Sequence, residues 1–197
     1  MTESRIDEAA LAQIFLDARS FDSFRDDPVP DSLLRDAWDL ARFGPTSANA
    51  LPARILFVRS TDAKKRLEPA LSEGNREKTM KAPVTAIIAY DLEFYEHLPK
   101  LFAHTDARSW FVGKQKAIET TAFRNGTLLA AYFIIAARAV GLDCGPMSGF
   151  DNAKVDEEFF KGMPWRSNFL CNLGFGDPHD LHPRYPRLEF DEACKII

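Results

Sequence analysis

The chain is poor in cysteine. Cys144, Cys171 and Cys194 are the only three among 197 residues, far apart and without a CxxC pair. So few and so scattered, they exclude a disulfide framework and point to a reducing, cytoplasmic setting. His179 and His182 stand three apart, but no cysteine or acidic residue completes a metal-ligand spacing around them, so no metal is expected. Positive charge is short as well: 25 Lys and Arg face 29 Asp and Glu, for a net charge of −4. That balance gives no electrostatic footprint for nucleic acid or an anionic membrane. The longest apolar run, Thr127 to Ala137, is too short to span a bilayer, and Arg138 closes it. The opening MTESRIDEAALAQIF is acidic and lacks the apolar stretch of a secretion signal.

The familiar catalytic motifs are missing too. No GxGxxG follows a strand-like run, and neither GxxxxGK[ST] nor GxSxG occurs. No local pairing of nucleophile and base, or of two acids, announces itself. Such silence fits a protein whose difficult chemistry belongs to a bound cofactor.

What is present is core-forming material. Apolar residues make up 46% of the chain and aromatics 12%, enough for one domain over residues 1–197. Apolar spacing predicts a helix over Ile6–Ala18 and another over Leu33–Ala41, with Asp31 as its N-cap and Gly44-Pro45 as its stop. Arg54–Arg59 and Val84–Tyr90 read as buried strands. Between them Asp62 is positioned to cap a helix reaching about Leu71, and a second piece covers Asn75–Ala82. Phe94–Val112 is an aromatic, irregular excursion. Lys114–Val140 is one long helix, followed by DCGPMSGFD as a loop. Asp151 caps a helix to about Phe160, and Ser167–Phe175 is a third strand. The mixture predicts an α+β or α/β sheet covered by helices, completed by the tail or by a second subunit.

Four polar segments flank apolar elements. In Arg19-Ser20-Phe21-Asp22-Ser23-Phe24 a guanidinium and hydroxyls suit a phosphate, or simply a solvated helix end. In Pro45-Thr46-Ser47-Ala48-Asn49-Ala50-Leu51-Pro52 two prolines fix the path of short hydrogen-bonding side chains, which line a ligand or make an ordinary turn. In Gly145-Pro146-Met147-Ser148-Gly149-Phe150 the glycines let a backbone approach a flat ligand, or end the long helix. His182 to Arg187 brings Arg184 and Arg187 in a proline-fixed tail, as phosphate ligands or as surface charge. Arg108, within DARSWF, suits a substrate carboxylate or anchors its own loop, and Asn125 inside the long helix suits structural hydrogen bonding.

Taken in order, these segments resemble the FMN-dependent nitroreductases. The resemblance covers most of the chain. It rests on Arg19-Ser20, on Gly44 to Asn49 (GPTSAN), on Ala139 to Leu142 (AVGL) ending the long helix, on Gly145 to Asp151 (GPMSGFD), on Asn172 to Gly176 (NLGFG), and on the arginine-bearing tail. Within the family GPTSAN, LPARI, APVTAI, EFYEHLP, DARSWF, TAFRN and GPMSGFD look most like the malonic semialdehyde reductases of pyrimidine degradation. The resemblance implies a three-layer α+β sandwich, its central mixed sheet flanked by helices, in an intertwined homodimer with FMN at the interface. By motif, Arg19, Ser20 and Arg184 hold the phosphate end of FMN. Pro45, Thr46, Ser47 and Asn49 line the flavin, in part from the partner subunit, and the backbone of Pro146, Met147, Ser148 and Gly149 faces its ring. NADH or NADPH donates electrons in a ping-pong cycle, and a small aldehyde acid, nitro compound or quinone accepts them. Arg108 is the candidate carboxylate contact. Two positions depart from the family pattern: Asp22 stands where a second basic residue is common, and Leu51 where glutamine is common. Arg54 and Arg187 are the candidates to compensate. Other classes stay open, namely a flavin binder without turnover and a thiol hydrolase using Cys144 or Cys171.

Overall fold

A computed structural model describes residues 5–197. Asp7 opens the first helix by accepting the Ala10 N–H at 2.7 Å. That helix, α1 (Glu8–Leu11), continues as a π-helical turn over Ala12–Leu16. Helix α2 (Asp31–Ala41) buries Leu34, Ala37 and Ala41, part of the stripe its sequence spells. Its cap is Pro30. Asp31 lies inside the first turn, where its carboxylate pairs with Arg59. Strand β1 (Ala53–Val58) leads to α3 (Thr61–Leu67), capped by Ser60 and not Asp62: the Ser60 hydroxyl accepts the Ala63 N–H at 3.2 Å. A cap has to precede the helix it closes, and Asp62 is already inside.

Next come α4 (Glu73–Lys81) and β2 (Val84–Asp91). The excursion holds one short helix, α5 (Leu98–Leu101), between 3₁₀ turns at Phe94–His97 and Arg108–Trp110. The long helix is α6 (Gln115–Ala139), followed by β3 (Asp143–Met147). Asp151 caps α7 (Asn152–Phe159), accepting the Lys154 N–H at 3.1 Å. Strand β4 (Trp165–Gly174) and a tail with one short helix, α8 (Phe190–Ala193), complete the chain. No helix among the described residues is long and apolar enough to cross a membrane.

The four strands form one sheet in the order β1-β2-β4-β3, and every neighbouring pair is antiparallel. A mixed sheet was the expectation; the parallel component is confined to an isolated bridge between Ser20 and Cys144. The segment read as a loop after α6 forms β3 instead. Its glycine and proline hide the strand signal, yet Pro146 breaks no ladder, because β3 lies at a sheet edge and the ring faces solvent.

Strand β2 explains the layering. Its side chains alternate between faces. Val84, Ala86 and Ile88 meet the α2–α6 side, with Phe133, Ala137 and Cys171. Ile87 and Ala89 meet the other side, with Leu67, Val155 and Leu170. A strand buried on both faces reads as a continuous apolar run, as VTAIIAY does. The result is helices, sheet, helices.

One residue of β2 breaks the run. Thr85 faces the α3 side and accepts a hydrogen bond from Lys64 Nζ at 2.6 Å. The same ammonium donates to the Thr79 carbonyl at 2.6 Å, and Thr85 Oγ1 donates to Asn172 Oδ1 at 2.7 Å. Lys64 is 3% exposed, and burial lowers its pKa from 10.5 to about 8. The unfolded chain therefore binds this proton more tightly than the native state. The Lys64 contribution should strengthen the fold as pH rises from about 8 to 10.5, by about 3 kcal/mol in all. Lys64→Met should lose that gain, seen as a flatter stability profile in urea titrations across this range. An unchanged profile would refute the assignment.

Gly145 fixes the approach of the Ser20 segment to β3. A Cβ there would sit 2.3 Å from the Phe21 carbonyl oxygen, which cannot move freely because the Phe21 N–H donates to Cys144 O at 3.0 Å. Gly145→Ala should therefore destabilise by about 1–3 kcal/mol. Gly74→Ala, where an added Cβ meets nothing within 4 Å, should stabilise by roughly 0.4–1 kcal/mol. Thermal unfolding of the two variants checks the contrast.

Candidate functional site

The site grows from the edge at β3. Ser20 bridges Cys144, and the following residues run along the end of the sheet: Arg25 N–H donates to Phe175 O at 2.8 Å, and Asp177 N–H to Ser23 O at 3.1 Å. The tail folds back over this segment. Arg184 Nη2 donates to the carbonyls of Leu16 at 2.6 Å and Ala18 at 3.1 Å, while Arg19 donates to the His182 carbonyl. Between them lies a cleft of about 290 Å³ lined by Arg19, Ser20, Arg138, His182, Arg184 and Arg187.

Its electrostatics are one-sided. None of the four arginines has a carboxylate within 4.0 Å among the described residues. Their recorded hydrogen bonds all go to backbone carbonyls. Asp22 also lines the cleft, but Lys78 neutralises it at 2.8 Å. Such a group of guanidiniums suits a phosphate.

Helix α4 joins this cleft to the end of β3. The Gly149 carbonyl accepts from Ser72 N–H at 3.1 Å and from Asn75 Nδ2 at 2.9 Å. Thr79 Oγ1 lies 3.4 Å from the Met147 sulfur, and Lys78 reaches Asp22. One helix thus braces both the Arg19–Asp22 and the Pro146–Gly149 segments. Pro146 and Ser148 stay exposed, so this stretch presents a surface beside the cleft.

The Pro45–Pro52 loop lies apart. No hydrogen bond or ion pair among the described residues joins it to the other two segments. It is bound instead to α6 and the excursion. Ser47 N–H donates to Asn125 Oδ1 at 2.8 Å, Asn49 Nδ2 to Leu101 O at 2.9 Å, and Leu51 N–H to Thr46 Oγ1 at 3.2 Å. Asn125 thus has the structural role expected of it. Ala48, Asn49 and Leu51 have φ of 51°, 51° and 41°, a left-handed conformation costly for residues with a Cβ. Pro45, Ser47 and Asn49 are exposed on this strained arch.

The excursion is a small aromatic unit built round buried Phe94, whose ring meets Phe111 at 4.9 Å. Arg108 anchors it through a two-pronged pair with Glu96, Nε and Nη2 each at 2.7 Å. The Arg108 guanidinium holds the Glu96 carboxyl below its usual range. Of the two compensating arginines, only Arg187 reaches the cleft. Arg54 is committed elsewhere, 2.6 Å from Asp91 and 3.0 Å from the Leu51 carbonyl. Cys144 and Cys171 are fully buried neighbours. Hydrogen bonding to Cys144 and burial push the Cys171 thiol well above its ordinary value, which does not suit a nucleophile.

Three site residues escape the sequence reading. Asn75 and Lys78 lie three apart on α4, a helix without an apolar stripe, and that lack was the available signal. Arg138 is the third, read only as the end of an apolar run.

Comparison with known proteins identifies the family. The nitroreductase family profile matches residues 17–176. A Burkholderia lata protein with the provisional name NADH dehydrogenase/NAD(P)H nitroreductase is 61% identical over 191 residues, covering 97% of this chain and 98% of the relative. A Stenotrophomonas maltophilia protein of the same provisional name is 61% identical, with 97% of each chain covered. Among solved structures, the Bacillus subtilis nitroreductase ydfN superposes with a TM-score of 0.84 at 19% identity, covering 97% of this chain and all of that one. A nitroreductase from Exiguobacterium sibiricum, solved in complex with FMN, gives 0.82 at 17% identity over the whole of both chains. The protein described here belongs to the nitroreductase family.

Proposed function

We propose that this chain is an FMN-dependent NAD(P)H oxidoreductase. The observation that carries the reading is the cleft of four guanidiniums that lack carboxylate partners. Family membership, the NAD(P)H nitroreductase names of the near relatives and the FMN in the Exiguobacterium structure support it. The residues present fit the cofactor: the cleft has the size for a phosphate, and its donor set is four guanidiniums with no carboxylate partner among the described residues. Bound FMN supplies the redox chemistry, passing electrons from the nicotinamide to a second substrate in a ping-pong cycle, so the chain needs no acid–base pair of its own.

The chain's residues bind and orient. Arg19, Arg184 and Arg187 hold the phosphate and Ser20 the adjoining ribityl chain. The Pro146, Met147, Ser148 and Gly149 backbone, braced by Asn75, faces the ring. Pro45, Thr46, Ser47 and Asn49 line the flavin from a partner subunit, which accounts for the separation of their loop from the cleft within one chain. An intertwined homodimer has further support. Phe123, Leu128 and Tyr132 on α6 and Phe43 beyond α2 are exposed, Phe43 by 80%. Strand β1 has an open edge beside a groove lined by Leu34, Trp38 and Phe57, and the tail exposes Leu188, Phe190, Ile196 and Ile197. Two neighbouring unpaired thiols, Cys144 and Cys171, support a reducing, cytoplasmic setting.

For the acceptor we propose malonic semialdehyde or a similar small aldehyde acid, as in pyrimidine degradation, with nitro compounds and quinones taken less selectively. This rests on the DARSWF and GPMSGFD resemblance and on Arg108, which reaches a substrate carboxylate by exchanging it for Glu96.

Purified protein should show flavin absorbance bands that bleach when NADH or NADPH is added without oxygen. Bands that persist with both donors would leave a flavin binder without turnover, and protein that takes up no FMN would sink the reading. Arg184→Ala should weaken FMN binding roughly ten- to hundredfold, the worth of one charge-assisted hydrogen bond. Arg108→Ala should raise KM for the aldehyde acid about tenfold or more while leaving a neutral nitroaromatic unaffected. Equal effects on both substrates would remove Arg108 from the acceptor site.

A further inference from the structure

We infer that Arg138 is a phosphate-binding residue, supplying from the end of α6 the positive charge that Asp22 withholds from the cleft. The inference rests on the FMN reading above and concerns the phosphate end alone.

Arg138 lies in the last turn of α6, directly after the apolar run. A basic residue there ordinarily serves its own helix, whose terminal carbonyls carry partial negative charge. That need is already met. Gln13 Nε2 donates to the carbonyls of Arg138 and Ala139, at 2.8 and 3.2 Å. The Arg138 guanidinium reaches away from its own helix, with Nη1 donating to Ile14 O at 3.2 Å. Its Nε is buried and has no hydrogen-bond partner among the described residues, and no carboxylate lies within 4.0 Å of the group. The side chain as a whole is only partly buried, and it lines the cleft with Arg19, Ser20, Arg184 and Arg187, where its uncancelled charge is open to an anion.

The charges facing that cleft come from three parts of the chain. Arg19 and Asp22 follow the first helix, Arg138 ends α6, and Arg184 and Arg187 lie in the tail. Asp22 and Lys78 cancel as a pair at 2.8 Å. Without Arg138 the cleft would draw on the N-terminal segment and the tail alone. With it, the cleft also carries charge fixed to α6, the longest helix among the described residues. A phosphate monoester dianion is the ligand this chemistry selects over a neutral group.

The experiment compares FMN with riboflavin, which lacks the phosphate. Apoprotein is titrated with each, following quenching of flavin fluorescence, for the wild type, Arg138→Gln, Arg138→Lys and Gln13→Ala. The wild type should bind FMN more tightly than riboflavin. Arg138→Gln should lower FMN affinity roughly ten- to hundredfold with riboflavin affinity unchanged. Arg138→Lys, which keeps the charge without the planar fork, should recover part of the loss. Gln13→Ala, which loosens the same helix end and leaves the guanidinium, should preserve the FMN-to-riboflavin ratio. If Arg138→Gln weakens both ligands equally, Arg138 only holds the fold and the inference is overturned. A wild type that binds both ligands equally well overturns it too, while leaving a flavin site in place. If neither ligand binds, the FMN reading fails and takes this one with it.

Discussion

Backbone carbonyls, not carboxylates, hold the guanidiniums of Arg19, Arg138, Arg184 and Arg187, and much of the surrounding structure follows from that. A carbonyl orients a guanidinium without cancelling its charge. Like charges gathered in one cleft repel one another, so assembling four there works against the fold. The chain bears this by drawing the arginines from three parts of its path and tying the parts to one another. The tail is held to the first helix by Arg184, and the first segment to the tail by Arg19. An anion entering the cleft would relieve the repulsion and stabilise the folded state in proportion to its affinity.

The same constraint explains why the edge strand of the sheet contains glycine and proline. Ser20 enters the cleft only if its segment lies against β3, and the Phe21 carbonyl leaves no room there for a side chain at residue 145. Beyond it, Pro146 within the strand and Ser148 just past its end are exposed, and Asn75 and Ser72 fix the path from behind by holding the Gly149 carbonyl. Helix α4 therefore has little apolar surface of its own. It contributes a polar frame, tied to the core by the Lys64 ammonium at the Thr79 carbonyl.

The parts of the fold written in periodicity were legible in the sequence. VTAIIAY announced the doubly buried β2, and the apolar run after Thr127 announced the buried face of α6. Asp151 was recognisable as a cap. Strand β3 was not legible, because its sequence answers to a close approach and a solvent-facing edge rather than to burial on two faces. Asp31 and Asp62 were misplaced as caps because several polar residues cluster at each helix start and sequence alone does not say which one stays outside. Of the site, the cleft residues Arg19, Ser20, Arg184 and Arg187 were legible through motif order. Asn75, Lys78 and Arg138 were not, since each does its work through a contact distant in sequence: Gly149, Asp22 and the cleft itself.

The arch at Ala48–Leu51 makes the complementary argument. Three residues with side chains hold left-handed backbone there, at a cost of about 1–3 kcal/mol each. Such strain persists only where the surroundings determine the path from several sides. Here they do: Asn125 fixes Ser47, the excursion accepts Asn49, and Arg54 takes the Leu51 carbonyl. Among the described residues no hydrogen bond or ion pair joins this exposed surface to the cleft. The intertwined pair proposed above would give the strain a purpose: the rigid arch of one subunit would bring short polar groups to a flavin held in the charged cleft of the other.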